Sequence, residues 1–135
     1  MKNKGFTLLE LLVVIGIIGI LVALATVSYT NTQAQGRDAR RKQDLVAMQS
    51  ALEQYYSANS YVYPTGACSA ASIYLRSAWP TDPSTGLAYT NDALCSATEY
   101  CICATLEKLS GNTGTNVTPC VFNGGNAYYC VGNLQ

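Results

Sequence analysis

The sequence contains no histidine, which removes imidazole both as a metal ligand and as the usual general base near neutral pH. Charged residues make up only 12% of the 135 residues, and eight basic side chains balance eight acidic ones. A chain without net charge has no overall field that attracts nucleic acid or an anionic surface. We therefore expect no catalytic residues, no cofactor, no bound metal and no direct nucleic-acid site.

No proline precedes Pro64 and no cysteine precedes Cys68, so the two halves of the chain differ in character. The first half can form one long helix, because no proline imposes a break in it. The cysteines of the second half form an even set in a short chain, which is typical of disulfides formed in an oxidising compartment. We expect disulfides at all six positions: Cys68, Cys95, Cys101, Cys103, Cys120 and Cys130.

The cysteine spacing leaves the pairing open, since six cysteines allow fifteen connectivities. A hairpin with a three-residue loop would set Cys120 opposite Cys130, which favours that pair. Cys101 and Cys103 alternate with apolar residues, so they should face away from the side of the strand that packs on the helix. A zinc site is disfavoured, because Cys-X-Cys is not the usual spacing and no histidine can complete the ligand set.

Apolar residues are concentrated near the amino terminus, where an unbroken run extends from Leu11 to Ala25. A helix over Phe6–Val27 would be roughly 33 Å long, which is enough to cross a bilayer. The residues from Thr26 to Thr32 are poor helix formers, and Gly36 follows them. We expect a bend or local melting of the helix at this point.

Helical periodicity returns between Arg37 and Ser57. Apolar residues at steps of three and four predict an amphipathic helix that packs on a partner surface: Leu45, Met48, Leu52 and Tyr55 or Tyr56. Two pairs of opposite charge lie four residues apart on the other side of this helix and are placed to form ion pairs: Asp38 with Lys42, and Arg40 with Asp44.

After Asn59 the sequence is rich in Ser, Thr, Gly, Asn and Tyr, which indicates loops and strands rather than helix. Asp82-Pro83-Ser84-Thr85-Gly86 predicts a turn, followed by a short strand over residues 87–90. Residues 99–106 alternate between apolar and other side chains and should form a central strand. Asn123-Gly124-Gly125-Asn126 predicts a closing hairpin between residues 119–122 and 127–131.

The segment Lys4-Gly5-Phe6-Thr7-Leu8-Leu9-Glu10, followed by the apolar run, resembles the class III leader junction of type IV pilins and type II secretion pseudopilins. The segment contains, in the order typical of such junctions, basic leader residues, a glycine before the cleavage site, an aromatic residue after it and a glutamate four residues later. The resemblance implies that a prepilin peptidase of the inner membrane cleaves between Gly5 and Phe6. It also implies methylation of the new amine of Phe6.

The fold implied by this resemblance is α+β, with a long N-terminal α-helix packed on a small disulfide-stapled antiparallel β-sheet. The helix is expected to be apolar in its first half and amphipathic in its second. Val27 departs from the family pattern, since many relatives have a proline there that helps to melt the helix in the filament. The chain would divide into a leader, an apolar transmembrane and filament-core helix, an amphipathic helix and a head of loops and strands: residues 1–5, 6–28, 29–58 and 59–135.

The function implied by the resemblance is that of a structural subunit and not of an enzyme. A compact stapled head fits a repeating major pilin, and a pseudopilin of a type II secretion system is the alternative. The expected partners are like subunits, prepilin peptidase and a filament assembly platform. The precursor would lie in the inner membrane, and the mature chain would form part of an extracellular filament.

Glu10 interrupts the apolar segment, and a carboxylate in hydrocarbon costs about 2.5 to 3.5 kcal/mol on insertion scales. Cleavage would create a positive amine on Phe6, which could pair with Glu10 of a neighbouring subunit shifted by about one turn. Alternatively, Glu10 only lies at the amino end of the helix, where the helix dipole favours a negative charge. Small residues at steps of three and four would let another helix approach closely: Gly16, Gly19 and Ala23.

Other interpretations remain open. Ala23-Leu24-Ala25 resembles a signal peptidase site, which would make the chain a secreted disulfide-rich protein that begins at Thr26. The apolar helix could also tether an enzyme or binding module, although no nucleophile motif is present. Asp82 and Asp92 flank a turn that lies near a calcium site in some pseudopilins, but two carboxylates fall short of the six or more oxygens that calcium takes.

The orientation of the apolar helix also has two interpretations. The basic residues from Arg37 to Lys42 outnumber Lys2 and Lys4, so a simple positive-inside count places the carboxyl side in the cytoplasm. The cysteines and the leader favour export of the carboxyl side instead. We give the cysteines and the leader more weight than the positive-inside count. The basic cluster lies at the far edge of the segment next to the membrane helix over which that count applies.

Overall fold

The computed structural model describes residues 5–90, 94–116 and 120–135, apart from the side chain of Val27. One long helix, α1, is followed by a short 3-10 helix and two strands: Leu8–Ala58, Cys68–Tyr74, Cys101–Thr105 (β1) and Tyr128–Gly132 (β2). The chain divides after Ala34 into two compact units, an amino-terminal segment and a head that begins at Gln35. A long helix with a small antiparallel sheet and disulfides confirms the predicted α+β class.

The helix is continuous through the stretch of weak helix formers, so the expected local melting is not observed, while the alternative of a bend there stays a prediction. Weak propensity costs only a few tenths of a kcal/mol per residue, and no proline removes a backbone donor. Two side-chain hydroxyls also donate hydrogen bonds to backbone carbonyls of the same helix. Thr26 donates to the Ala23 carbonyl at 2.9 Å, and Thr32 donates to the Ser28 carbonyl at 3.0 Å.

The part of α1 within the head presents the predicted apolar face. Leu45, Met48 and Leu52 are fully buried. They form one core with residues from the loops and β1, among them Tyr63 and Ile102. The partner surface predicted from the helical periodicity is therefore the sheet and its flanking loops.

The sheet differs from the predicted one. β2 pairs antiparallel with β1, with Cys103 opposite Cys130, and does not pair with residues 120–122, the described part of the predicted partner strand. The predicted closing hairpin is therefore wrong. Residues 87–90 do not form a strand either, since only Thr90 makes an isolated bridge, to Cys103. A turn signal fixes where a chain reverses, but it does not decide which strand it will pair with.

The turn at Asp82 forms as predicted. The Asp82 carboxylate accepts the backbone N–H groups of Ser84 and Thr85 at 2.8 and 3.0 Å. The Gly86 N–H donates to the Asp82 carbonyl at 2.8 Å, and Gly86 has a φ of 70°, which glycine adopts at little cost. This turn fixes the direction of the Asp82 carboxylate.

The carboxyl end of α1 is closed by two residues in the left-handed region, Ser60 at φ 57° and Tyr61 at φ 61°. The Tyr61 N–H donates to the Tyr56 carbonyl at 3.0 Å, and the rings of these tyrosines are 5.6 Å apart. This is a Schellman cap in which Ser60 occupies the position usually held by glycine. The left-handed conformation costs a residue with a Cβ roughly 1 to 2 kcal/mol.

We expect Ser60→Gly to stabilise the head by roughly 0.5 to 1 kcal/mol, because relief of the left-handed strain exceeds the added entropy of the unfolded chain. Urea unfolding of the full-length chain in detergent, followed by the near-ultraviolet signal of the tyrosines, measures this change. Ser57→Gly is the matched control, since Ser57 lies within the helix and glycine there should destabilise by about 0.5 to 1 kcal/mol. Equal effects of the two variants would contradict the strain at Ser60.

Candidate assembly segment and stapled head

The amino end of α1 is closed by a reciprocal pair of side chains. The Glu10 carboxylate accepts the Thr7 backbone N–H at 2.9 Å and the Thr7 hydroxyl at 2.8 Å. The Thr7 hydroxyl in turn accepts the Glu10 N–H at 3.2 Å. This is a capping box, with Thr7 as N-cap and Glu10 three residues on. The structure thus gives Glu10 a role within its own chain, which the position at the helix end had suggested.

The apolar part of α1 has no apolar packing partner among the residues that the structure describes. Every large apolar side chain from Phe6 to Leu24 is at least 48% exposed. Within the described residues, α1 is the one helix long and apolar enough to cross a membrane, with a mean hydropathy of 2.9 over its most apolar window. Such a surface needs hydrocarbon or other helices around it.

Gly16, Gly19 and Ala23 lie on one exposed strip of this helix. A Cβ added at Gly16 or Gly19 would meet no atom within 4 Å, so nothing in the isolated chain occupies the space above them. The strip is open to a second helix. Its use in assembly remains a prediction, as do the roles of Gly5, Phe6 and Glu10.

In the head, the Arg41 guanidinium is the centre of a charged cluster. It donates to Asp38 at 2.7 Å, to Asp82 at 2.6 and 3.2 Å, and to Glu107 at 2.8 Å, while its side chain is only 5% exposed. Arg37 forms a two-pronged ion pair with the same Glu107 carboxylate. The cluster therefore ties the Asp82 turn and the segment after β1 to the helix.

The sequence prediction for this region was partly wrong. Arg40 does pair with Asp44, at 3.3 Å, but Asp38 is buried and pairs with Arg41 rather than with Lys42. Asp38 also accepts the backbone N–H groups of Glu107 and Lys108. Helical spacing identifies neighbours on the same helix, and these partners lie 69 and 70 residues away in the sequence.

The cluster changes the acidity of its members. Hydrogen bonds from Arg41, together with the backbone N–H groups of its turn, lower the pKa of Asp82 to about 2. Hydrogen bonds from Arg37 and then Arg41 lower the pKa of Glu107 to about 2. The same hydrogen bonds, the one with Asp82 foremost, raise the pKa of Arg41. All of these groups are therefore charged at neutral pH.

A second polar anchor lies on one side of the core, at Glu53 on α1. Its carboxylate accepts the hydroxyls of Tyr63 at 2.9 Å and Tyr100 at 3.0 Å, and the N–H of Leu134 at 3.1 Å. Burial, supported by the nearby Glu53 charge, raises the pKa of both tyrosines. One carboxylate thus joins the helix, the loop after it, the start of β1 and the carboxyl-terminal residues. Sequence analysis did not single out Glu53.

All six cysteines are paired, as Cys68–Cys95, Cys101–Cys120 and Cys103–Cys130. The predicted pair Cys120–Cys130 is wrong, because Cys130 lies opposite Cys103 on the neighbouring strand. Cys101 lies opposite Gly132. A Cβ at Gly132 would come within 3.3 Å of the Cys120 sulfur, so this glycine leaves the space in which Cys120 reaches Cys101.

The sulfurs of Cys101, Cys103 and Cys130 lie within 4.8 Å of one another, as the ligands of a metal would. Each is bonded in a disulfide and offers no thiolate. The suggested calcium ligands do not form a described site, because Arg41 engages Asp82 and because Asp92 lies outside the described residues.

Residues 1–26 match the family described as the prokaryotic N-terminal methylation motif. The chain is 39% identical over 56 residues to the type IV major pilin protein PilA of Myxococcus xanthus. The aligned segment covers 42% of this chain and 26% of that protein. It is 32% identical over 82 residues to the type II secretion system core protein G of Dickeya chrysanthemi. That alignment covers 61% of this chain and 53% of the relative. It is 44% identical over 51 residues to the type IV major fimbrial protein FimA of Dichelobacter nodosus. That alignment covers 38% of this chain and 33% of the relative. These matches confirm that the amino-terminal part of the chain is similar to type IV pilins and type II secretion pseudopilins.

The matched segments cover between 26% and 53% of these three relatives. No solved structure matches the chain significantly. The three relatives are named as pilin, fimbrial and secretion core proteins, and none of these names is that of an enzyme, in agreement with the expected structural subunit.

The charged cluster predicts that the head loses stability in acid. Because the pKa values of Asp82 and Glu107 are lowered on folding, their contribution is present above about pH 4.5 and is lost as the pH falls towards 2. The contribution lost at Asp82, whose side chain is 16% exposed, is expected to be on the order of 2 kcal/mol. Thermal unfolding of the full-length chain between pH 7 and pH 2, followed through the tyrosines, measures this loss.

Asp82→Asn should lower stability at neutral pH and flatten its dependence on pH. The control is Glu99→Gln, which changes a carboxylate that forms no ion pair in the described part of the chain. An Asp82→Asn variant with the same acid profile as the unaltered chain would show that this cluster does not govern the acid response.

Proposed function

We propose that this chain is a filament subunit that is trimmed between Gly5 and Phe6 and then polymerises through the helix over residues 6–28. The observation that carries this proposal is the exposed apolar surface of α1 together with a family match over residues 1–26. A head with its own core and three disulfides would remain folded outside the lipid. The amphipathic helix over residues 29–58 would carry the head, residues 59–135.

Before assembly, the apolar helix would hold the subunit in the inner membrane, with the head on the outer side. Buried disulfides support this orientation, because such bonds form and persist in oxidising compartments. The proposed partners at this stage are prepilin peptidase, which would cut behind Gly5 and methylate Phe6, and the filament assembly platform. Afterwards the subunit would be surrounded by like subunits in a surface filament.

Glu10 would set the register between subunits. Both bonds from Thr7 reach the same oxygen, Oε2, so within the described residues Oε1 keeps its lone pairs for another donor. The new amine on Phe6 of a neighbouring subunit is a donor of opposite charge. The pairing is therefore compatible with the capping box, and Gly16, Gly19 and Ala23 would allow the close helix approach that it requires.

A major pilin is the function we favour, because a compact head stapled by three disulfides suits a repeating unit. A pseudopilin of a type II secretion system is the second candidate, and the likeness to core protein G supports it. Sheared cell-surface filaments separate the two. A major pilin should be their main protein, whereas a pseudopilin should be absent from them and its loss should stop protein secretion.

Mass spectrometry of the mature amino terminus tests the trimming. We expect a chain that starts at Phe6 and carries one added methyl group on its amine. A chain that starts at Thr26 would show instead that the apolar segment is a conventional signal peptide. Gly5→Val is a suitable companion variant, which should leave the precursor uncut in the membrane.

Substitutions at Glu10 separate its two roles, because a capping box accepts glutamine as well as glutamate. Glu10→Gln keeps the cap but removes the charge, so we expect the subunit to stay in the membrane and to be excluded from filaments, as with Glu10→Ala. Thr7→Val removes the capping hydroxyl but keeps the charge, and it should still assemble. Normal assembly of Glu10→Gln would show that the carboxylate serves only the helix end. Filament yield after shearing and membrane content of the subunit are the two measurements.

A further inference from the structure

The outer face of the sheet carries two disulfides side by side. Cys101 and Cys103 are two residues apart on β1, so their side chains point to the same side of the strand. Their sulfurs are 3.8 Å apart, although each is bonded to a different partner. The Cys130 sulfur lies within 4.8 Å of both. A thiolate released at Cys101 would therefore face an intact disulfide at contact distance.

Access to these bonds is unequal. Cys101, Cys103 and Cys130 are at most 2% exposed, whereas Cys120 is only half-buried. An external thiol or phosphine therefore meets the Cys101–Cys120 bond first, at the Cys120 sulfur. The glycine opposite Cys101 contributes to this arrangement, because Cys120 occupies the space that a side chain at Gly132 would fill.

We propose that the Cys101–Cys120 and Cys103–Cys130 disulfides form one exchange unit, in which Cys101 released from Cys120 attacks the Cys103–Cys130 bond. The inference does not depend on the filament function, because it rests on the sulfur positions alone. It gives the Cys-X-Cys motif a chemical role in addition to its stapling role.

The exchange consists of two balanced steps. A thiolate reductant attacks the Cys120 sulfur and forms a mixed disulfide with it, while the electron pair of the broken bond leaves on Cys101. The Cys101 thiolate then attacks the Cys103 sulfur, which forms a Cys101–Cys103 bond and releases Cys130 as a thiolate. The second step has no net oxidation or reduction. Attack on Cys130 would release Cys103 instead, and the 3.8 Å distance favours attack on Cys103.

The consequence is that the two bonds are chemically linked. Opening the accessible bond also opens the buried one, and during oxidative folding a wrong pairing among these sulfurs can be corrected within the head. Cys68 and Cys95 take no part in this unit, since they join the 3-10 helix to a different loop.

A matched pair of full-length variants tests the exchange. Cys120→Ser leaves a thiol at Cys101, next to the Cys103–Cys130 bond, whereas Cys101→Ser removes the same disulfide but leaves the thiol at Cys120. Each is purified at about pH 5, where thiols stay protonated, and then incubated near pH 8.5, about the pKa of an unperturbed thiol. After acid quenching, free thiols are alkylated and mapped by mass spectrometry.

We expect the label in Cys120→Ser to move from Cys101 to Cys130, with a smaller share at Cys103, as the pH is raised. In Cys101→Ser the label should stay on Cys120. A label that stays on Cys101 at the higher pH would overturn the proposal. Equal redistribution in both variants would also overturn it, because that result indicates general scrambling.

The unaltered chain provides an independent measurement if the variants do not fold. One equivalent of a water-soluble phosphine, which reduces a disulfide to two thiols while it takes up oxygen from water, is added before alkylation. Exchange predicts labels on Cys120 together with Cys130. Labels confined to Cys120 and Cys101 would show that the neighbouring bond is not attacked, and the proposal would then be wrong.

Discussion

The structure depends on one helix that must satisfy two kinds of surroundings. From Leu8 to Gln33 its described side chains are exposed, including the large apolar ones. From Gln35 onwards one face of the same helix supplies the core of the head through Leu45, Met48 and Leu52. Since the helix is continuous, its hydrogen bonds are satisfied internally in both parts, and only the side chains need different partners.

The head is attached to this helix by apolar packing and by two polar anchors. Arg41 draws together the Asp82 turn and Glu107, and Glu53 draws together Tyr63, Tyr100 and the backbone at Leu134. Loops make up much of the head, and each would lose conformational entropy on folding without regular strand pairing to offset it. A buried arginine with three carboxylate partners, together with three disulfides, compensates for the small sheet.

Features that depend on local spacing could be predicted from the sequence. Helical periodicity predicts the length of α1 and the buried positions Leu45, Met48 and Leu52. Turn chemistry predicts the turn at Asp82. Features that depend on which segments meet could not be predicted. Arg41 reaches Asp82 across 41 residues, and Cys130 pairs with Cys103 because β2 docks on β1, which no local pattern encodes. Residues 26–32 stay helical despite their weak propensity, because propensity is a small local effect and the hydroxyls of Thr26 and Thr32 donate to carbonyls of the same helix.

The apolar surface alone does not explain why a subunit would leave the membrane for a filament. Lipid tails are as apolar as leucine, so transfer of the helix from lipid to a bundle of like helices gains little from hydrophobicity. Specific features must therefore favour the filament. The segment after Gly5 offers two: Glu10, whose carboxylate is costly in hydrocarbon, and the open strip of Gly16, Gly19 and Ala23. Because the capping box engages only one oxygen of Glu10, the amine of a neighbouring subunit in the proposed filament would be able to bind the other oxygen and lower the cost of that charge further.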